Sequence, residues 1–265
     1  VPDFSVSYKA RRHQKDAAAL PNMSRIFLIS LLFATAAFRP AALAPAPPSG
    51  RDIVKKMHDR YAGKWYHSFT FNQTTQVYRN DSLRSTSTWY EFMRFPDRFR
   101  MDFGSADSGN AAIFRGDSCY RFKNFQLRSS TINNNEGLIF LLGGMFFYPL
   151  DQTYTILDSL HYDLTRSRED TWQDRPVFVI GAEGGNQLYI DKDLLYLSRM
   201  IKVDGRQKMD ARFDGYQPFD GGWSETRCSF YINDKLIQVE TYHDCKANTT
   251  LDDRIFDPST FVTSH

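Results

Sequence analysis

The chain is poor in the parts that chemistry needs. Its 265 residues hold only three cysteines, Cys119, Cys228 and Cys245, an odd set with no Cys-x-x-Cys pair. There is no G-x-S-x-G elbow, no Walker loop and no H-E-x-x-H, so the sequence signatures of α/β-hydrolases, P-loop nucleotide enzymes and zinc proteases are missing. His243-Asp244-Cys245 is the nearest thing to a cluster. On a regular strand His243 and Cys245 would share a face, but three adjacent residues without a second ligand group make a weak site, and a hydrolase built on His243 or Asp244 is a remote alternative. His58, His67 and His161 read as ordinary surface or rim residues, and no catalytic residue, metal or cofactor is expected. No repeat of 20–50 residues is visible, which argues against propellers and solenoids. The apolar run near the start, IFLISLLFATAAF, is about 13 residues long, and a membrane span needs roughly 20.

That run follows Met23-Ser24-Arg25 and leads into Ala41, Ala42 and Ala44, the layout of a secretory signal peptide over 23–44. Residues 1–22 then read as an over-long translation start and 45–50 as a Pro-rich linker. Residues 1–44 carry six Lys/Arg and two Asp, so the whole-chain charge of +2 becomes −2 for residues 45–265. The basic excess lies in the segment to be removed, and a nucleic-acid partner is not expected. No cysteine stands near the expected cleavage region, so the protein is expected to be free of an acyl anchor. Cys228 and Cys245 would form a disulfide in an oxidising compartment. A hairpin turning at Asn233-Asp234 would instead set Cys228 opposite Val239, and both readings stay open.

What is abundant is apolar and aromatic: 42% hydrophobic residues, with 22 Phe and 14 Tyr. Ile53, Met57 and Tyr61, with Val54 beside them, recur at helical spacing and predict one amphipathic helix closed by Gly63. The period then changes to two. Trp65, Phe69, Phe71 and Val77 alternate with Ser68, Thr70 and Asn72. Phe99, Met101 and Phe103 alternate with Arg100 and Asp102, and Met209, Ala211 and Phe213 with Asp210, Arg212 and Asp214. Such alternation predicts antiparallel strands with one apolar and one wet face. Turn signals at Asn80-Asp81, Pro96-Asp97, Arg115-Gly116-Asp117, Gly184-Gly185-Asn186, Asp204-Gly205 and Asn233-Asp234 divide about ten or eleven strands.

One stretch breaks the pattern. Leu138 to Leu150 is apolar throughout except for Gly143 and Gly144. The region from Glu136 to about Asp163 reads as helical, in two pieces split at Pro149. A sheet of this length with one oily face must curl or be covered. A helix apolar nearly all round is no ordinary surface helix, so the stretch is either a lid over a cavity or a core helix with nothing beneath it.

With FTFNQT (69–74), WYEFMRFPDRFRMDF (89–103), IFRGDSCYRF (113–122), EGLIFLLGG (136–144) and RIFDPSTF (254–261), the chain resembles the LolA family of periplasmic lipoprotein carriers, and the wider superfamily that includes LolB and the RseB sensor domain. The resemblance covers about residues 51–262 and implies a mainly β (α+β) fold, an incomplete antiparallel β-barrel with an N-terminal helix and a helical lid. It implies a periplasmic, monomeric binder of lipid acyl chains or lipoproteins, with an inner-membrane release complex and an outer-membrane acceptor as partners. The cavity wall is expected from Phe69, Phe71, Trp89, Phe99, Met101, Phe103, Met209 and Phe213, and the lid from Leu138, Phe140, Leu141, Met145 and Phe146. A sensor module is the alternative, though sensors of that kind usually carry a second domain. One position departs from the family. The carrier places an arginine before the proline to hold its lid. Here Phe95 precedes Pro96, and Arg94, one residue back, points to the opposite face. The carrier's gating is therefore not transferable: either the ligand is a different lipid, or packing alone holds the lid.

Overall fold

The alternating segments pair as their periodicity requires. In the computed structural model, which describes residues 47–132 and 137–261, six strands come first: β1 (Ser68–Arg79), β2 (Ser82–Arg94), β3 (Arg98–Phe103), β4 (Ala111–Arg115), β5 (Ser118–Lys123) and β6 (Gln126–Ile132). After the helical insertion come β7 (Ser167–Trp172), β8 (Arg175–Ile180), β9 (Gln187–Asp191), β10 (Leu197–Asp204) and β11 (Gln207–Asp214). A small separate hairpin, β12 (Gln217–Phe219) and β13 (Gly222–Ser224), precedes the long β14 (Arg227–Ile232) and β15 (Lys235–Ala247). The expected signal peptide, the segment before it and Asn133–Glu136 lie outside the described residues.

Thirteen strands form one antiparallel sheet in the order β6-β5-β4-β3-β2-β1-β15-β14-β11-β10-β9-β8-β7. Pairing of β1 with β15 joins the two halves of the chain, and among the described residues β6 and β7 are the edge strands. The sheet is therefore an incomplete barrel. Sequence spacing predicted ten or eleven strands where fifteen form, and two of the turns it missed are tight hairpins. Asn124-Phe125 (φ 50° and 60°) and Gln173-Asp174 (φ 49° and 60°) adopt the same left-handed pair as Asn80-Asp81 and Asn233-Asp234. Such pairs match the twist of tight hairpins, but Phe and Gln are poor advertisements for them.

Helix α1 and the helical insertion lie on the apolar face. Helix α1 (Gly50–Tyr61) opens on a capping box in which Ser49 Oγ accepts from Asp52 N at 3.2 Å and the Asp52 carboxylate accepts from Ser49 N at 3.1 Å. It buries Ile53, Val54, Met57 and Tyr61, each contributing on the order of 1.5–3 kcal/mol. The insertion forms three pieces rather than two: α2 (Leu138–Leu141), a 3₁₀ turn (Gly144–Phe147) and α3 (Leu150–Ser159). The extra break falls at Gly143, whose φ of 149° no helix accommodates. A Cβ there would stand 2.4 Å from Trp65 Nε1, so only glycine fits. One core gathers α1, α2, the 3₁₀ turn, α3, Phe69 and Phe71 of β1, and inward side chains of β8 to β11, strands far apart in the sheet.

The opposite face is not uniformly wet. Beyond β15 the chain returns across β2 to β4 through a 3₁₀ turn (Asp253–Phe256) and the short α4 (Pro258–Phe261). Phe261 packs with Ala111, Ile113 and Phe122, and Arg100 lies 4.8 Å over its ring while bonding Asp102 at 2.8 Å. Asp102, expected on the solvent side, is buried. A comparable layer covers β8 to β11. There Val177, Val179, Tyr189 and Ile201 cluster with Trp172, and the fully buried Asp210 is held by Arg199 at 2.7 Å and Arg212 at 2.9 Å. Those two arginines hold the Asp210 carboxyl below its ordinary value although burial opposes them.

Candidate functional site

Between α2 and the sheet lies a cavity of about 430 Å³, lined by residues of β1 to β6 and of β14 and β15. Its size is at the lower end of the range of ligand pockets. Strands with period two deliver one wall: Phe71 from β1, Met93 from β2, Phe99 and Met101 from β3, Phe114 from β4. Helix α2 delivers the other through Leu138 and Ile139, with Leu142 just beyond it. Phe71 packs on Tyr242 with ring centroids 4.2 Å apart, and Phe99 stacks on Phe114 at 5.6 Å.

Of the thirteen residues expected at a ligand site, Phe71, Phe99, Met101 and Leu138 line this cavity. Trp89 and Phe103 meet edge to face at 4.7 Å beside it, and Phe103 packs against the Phe99–Phe114 cluster. Phe69, Phe140, Leu141, Met145, Phe146, Met209 and Phe213 belong to the main core. Phe213 also borders a second cavity of about 240 Å³ with Trp172, Asp191 and Tyr216.

Sequence reasoning passed over the polar lining. Glu91, Glu225 and Glu240 all face the larger cavity and are all buried. Parity could have found Glu91, because Trp89, Glu91, Met93 and Phe95 alternate on one face of β2 and only Glu91 breaks their apolar register. Glu240 accepts from Gln238 Nε2 at 2.5 Å and from the Tyr242 hydroxyl at 3.2 Å. Glu225 has the Cys228 thiol at 3.9 Å. Burial pushes the Glu225 carboxyl up to about 7. It raises Glu91 well above the ordinary range, reinforced by the charges of Glu240 and Glu225, and raises Glu240 in spite of its hydrogen bonds. Burial also raises the Cys228 thiol, the neighbouring carboxylates adding to it.

Two bulges revise the expectations for β15. The register slips between Phe230 and Tyr231, so Cys228 stands opposite Glu240 rather than Val239. Cys119, Cys228 and Cys245 are all free. A second slip opposite Thr70–Asn72, with Asp244 at φ 53°, reverses the alternation. His243 is exposed beside Thr74, while Cys245 turns toward the core, so the two do not share a face. Among the described residues no group of His, Cys, Asp or Glu could hold a metal ion.

No family model matches the chain, and no curated protein matches it in sequence. Solved structures do. A DUF1329 family protein from Desulfovibrio piger superposes with a TM-score of 0.58 at 15% identity, covering 80% of this chain and 97% of its own. A LolA superfamily protein from Nitrosomonas europaea superposes with a TM-score of 0.51 at 14% identity, covering 80% and 98%. A domain from Vibrio parahaemolyticus described as an outer membrane lipoprotein-sorting protein gives 0.57 at 12% identity, again over 80% and 98%. The chain has a LolA-like fold. The departure noted at Phe95 is visible within that LolA-like frame. Phe95 is buried and stacks on Phe147 of the 3₁₀ turn at 5.6 Å with an interplanar angle of 3°, while Tyr66 meets its edge. Arg94 lies on the other face, where it pairs with Asp253, donates to the Leu251 carbonyl and covers the Phe256 ring. In this LolA-like chain the arginine thus fastens the C-terminal segment and an aromatic stack fastens the insertion.

Proposed function

We propose that the protein binds the acyl chain of a lipid or lipoprotein in the cavity between α2 and the sheet, and carries it through the periplasm in outer-membrane lipoprotein sorting without chemically altering it. The observation that carries this reading is the construction of the cavity. Phe71, Met93, Phe99 and Met101 form an apolar wall on rigid strands, and a four-residue helix with only apolar side chains covers it. Burying hydrocarbon against that wall contributes about 0.8 kcal/mol per methylene, so chain length sets affinity and no covalent step is needed.

The rest of the insertion is fastened to α1 and to itself. His58 Nε2 donates to the Tyr148 carbonyl at 2.9 Å, Thr153 Oγ1 donates to the Met145 carbonyl at 3.1 Å, and Arg51 pairs with Asp158 at 3.2 Å. Helix α2 has no side-chain cap and holds by packing alone, which makes it the element that yields to a ligand. Leu138 would then exchange contacts with the sheet for contacts with the chain. The fold of the lipoprotein-sorting domain from Vibrio parahaemolyticus supports the same reading.

The test is native mass spectrometry and lipid extraction of protein purified from its own envelope fraction. Co-purified lipid or acylated peptide in the wild type, and none in a folded Met101→Arg variant, is the expected pair of results. Wild type that purifies empty, and binds no long-chain amphiphile when offered one, would sink the proposal.

A further inference from the structure

A cavity meant only for hydrocarbon has no use for three carboxylates. Glu91 reaches it from β2, Glu240 from β15, and Glu225 from the turn between β13 and β14; their exposures are 5%, 8% and 5%. Gln238, Tyr242 and Gln73 bond Glu240 and the Cys228 thiol meets Glu225, none of them a cation. Glu91 has no hydrogen-bond or ion-pair partner among the described residues, although it is more than nine-tenths buried and lines the cavity. The one basic side chain on the lining is Arg121, which is exposed. Buried carboxylates are ordinarily paired, because leaving them unpaired costs far more than leaving a neutral polar group so. Replacing such groups by apolar ones would stabilise the empty protein. Among the described residues no cation pairs with any of the three, and no donor reaches Glu91.

We infer that the occupant of this cavity is an amphiphile with a primary ammonium group, seated against Glu91, Glu225 and Glu240 while its hydrocarbon lies along Met93, Phe99 and Leu138. An ammonium supplies the positive charge that all three lack and the N–H donors that Glu91 lacks. A fatty-acid carboxylate would meet like charge, and an alcohol would supply a single donor without the charge. The inference rests on the reading of the cavity as an acyl-chain site and adds the chemistry of the polar end.

Three probes of equal chain length separate the two ideas: dodecylamine, dodecanol and dodecanoic acid, each titrated calorimetrically into the wild-type protein at pH 8 and below its aggregation concentration. The amine is expected to bind about tenfold tighter than the alcohol, with the acid weakest. Glu91→Gln keeps the shape but cannot carry the charge an ammonium would stabilise, and it should bring the amine down to within about threefold of the alcohol. Glu225→Gln serves as a second variant should the first not fold, and the wild-type ranking depends on neither. Alcohol or acid binding as tightly as amine overturns the inference and leaves the acyl-chain reading standing. Failure of all three probes overturns both.

Discussion

Raising the pH from 4.5 to 8 should destabilise the folded protein through Glu225 alone by about 3 kcal/mol. In the folded state its carboxyl is pushed up to about 7 from an ordinary 4.5, and burial is the chief cause. A carboxyl raised in the folded state keeps its proton there while the unfolded chain has already lost it. Its stabilising contribution is complete below about pH 4.5 and is lost as pH rises through 7. Two and a half units at 1.36 kcal/mol each set the magnitude, on the order of 3 kcal/mol. Glu91 and Glu240 are raised in the same direction and add to it. The depressed carboxyls, Asp191 and Asp210, act oppositely but only as pH falls below their ordinary 3.8, outside this interval. For a domain of this size each kcal/mol moves Tm by roughly 2–4 °C, so calorimetric scans should show Tm falling by about 6–12 °C. Glu225→Gln should flatten the slope and raise Tm at pH 8. A wild-type Tm that is level or rises across the interval, or a slope unchanged in Glu225→Gln, would refute the assignment of this carboxyl to a dry, unpaired site.

The aromatic fastening of the insertion predicts that Phe95→Ala will cost roughly 3–5 kcal/mol in urea unfolding, and will speed hydrogen exchange over 137–148 more than over Met209–Phe213. Equal acceleration of both segments would mean that Phe95 supports the whole core and not the insertion. On the other face, Asp210→Asn leaves Arg199 and Arg212 facing each other without their shared carboxylate. It should destabilise by roughly 3 kcal/mol, and a loss below about 1 kcal/mol, the worth of an exposed ion pair, would show that water already screens this cluster.

Much of this molecule was legible one residue at a time. Strict alternation in FRMDF and KMDARFDGY told which side chains face inward, because a strand turns its side chains by half a revolution per residue. The same parity separated Arg94 from Phe95 and so showed that the carrier's arginine gating could not be carried over to this chain. The run from Leu138 to Leu150, too apolar for a surface, identified the helices that fill the concave side. Other features depend on what returns from elsewhere in the chain. Asp102 and Asp210 stand on faces that alternation assigns to water, and they are buried because the C-terminal segment and the Trp172 layer cover them. The bulges at Phe230–Tyr231 and opposite Thr70–Asn72 reset the parity along β15, and with it the neighbour of Cys228 and the direction of Cys245. Above all, alternation places Glu91 on the apolar face of β2 but cannot say that Glu225 and Glu240 will meet it there. Glu91 is separated from the other two by more than a hundred residues of sequence, and only the pairing of β1 with β15 brings all three to one cavity.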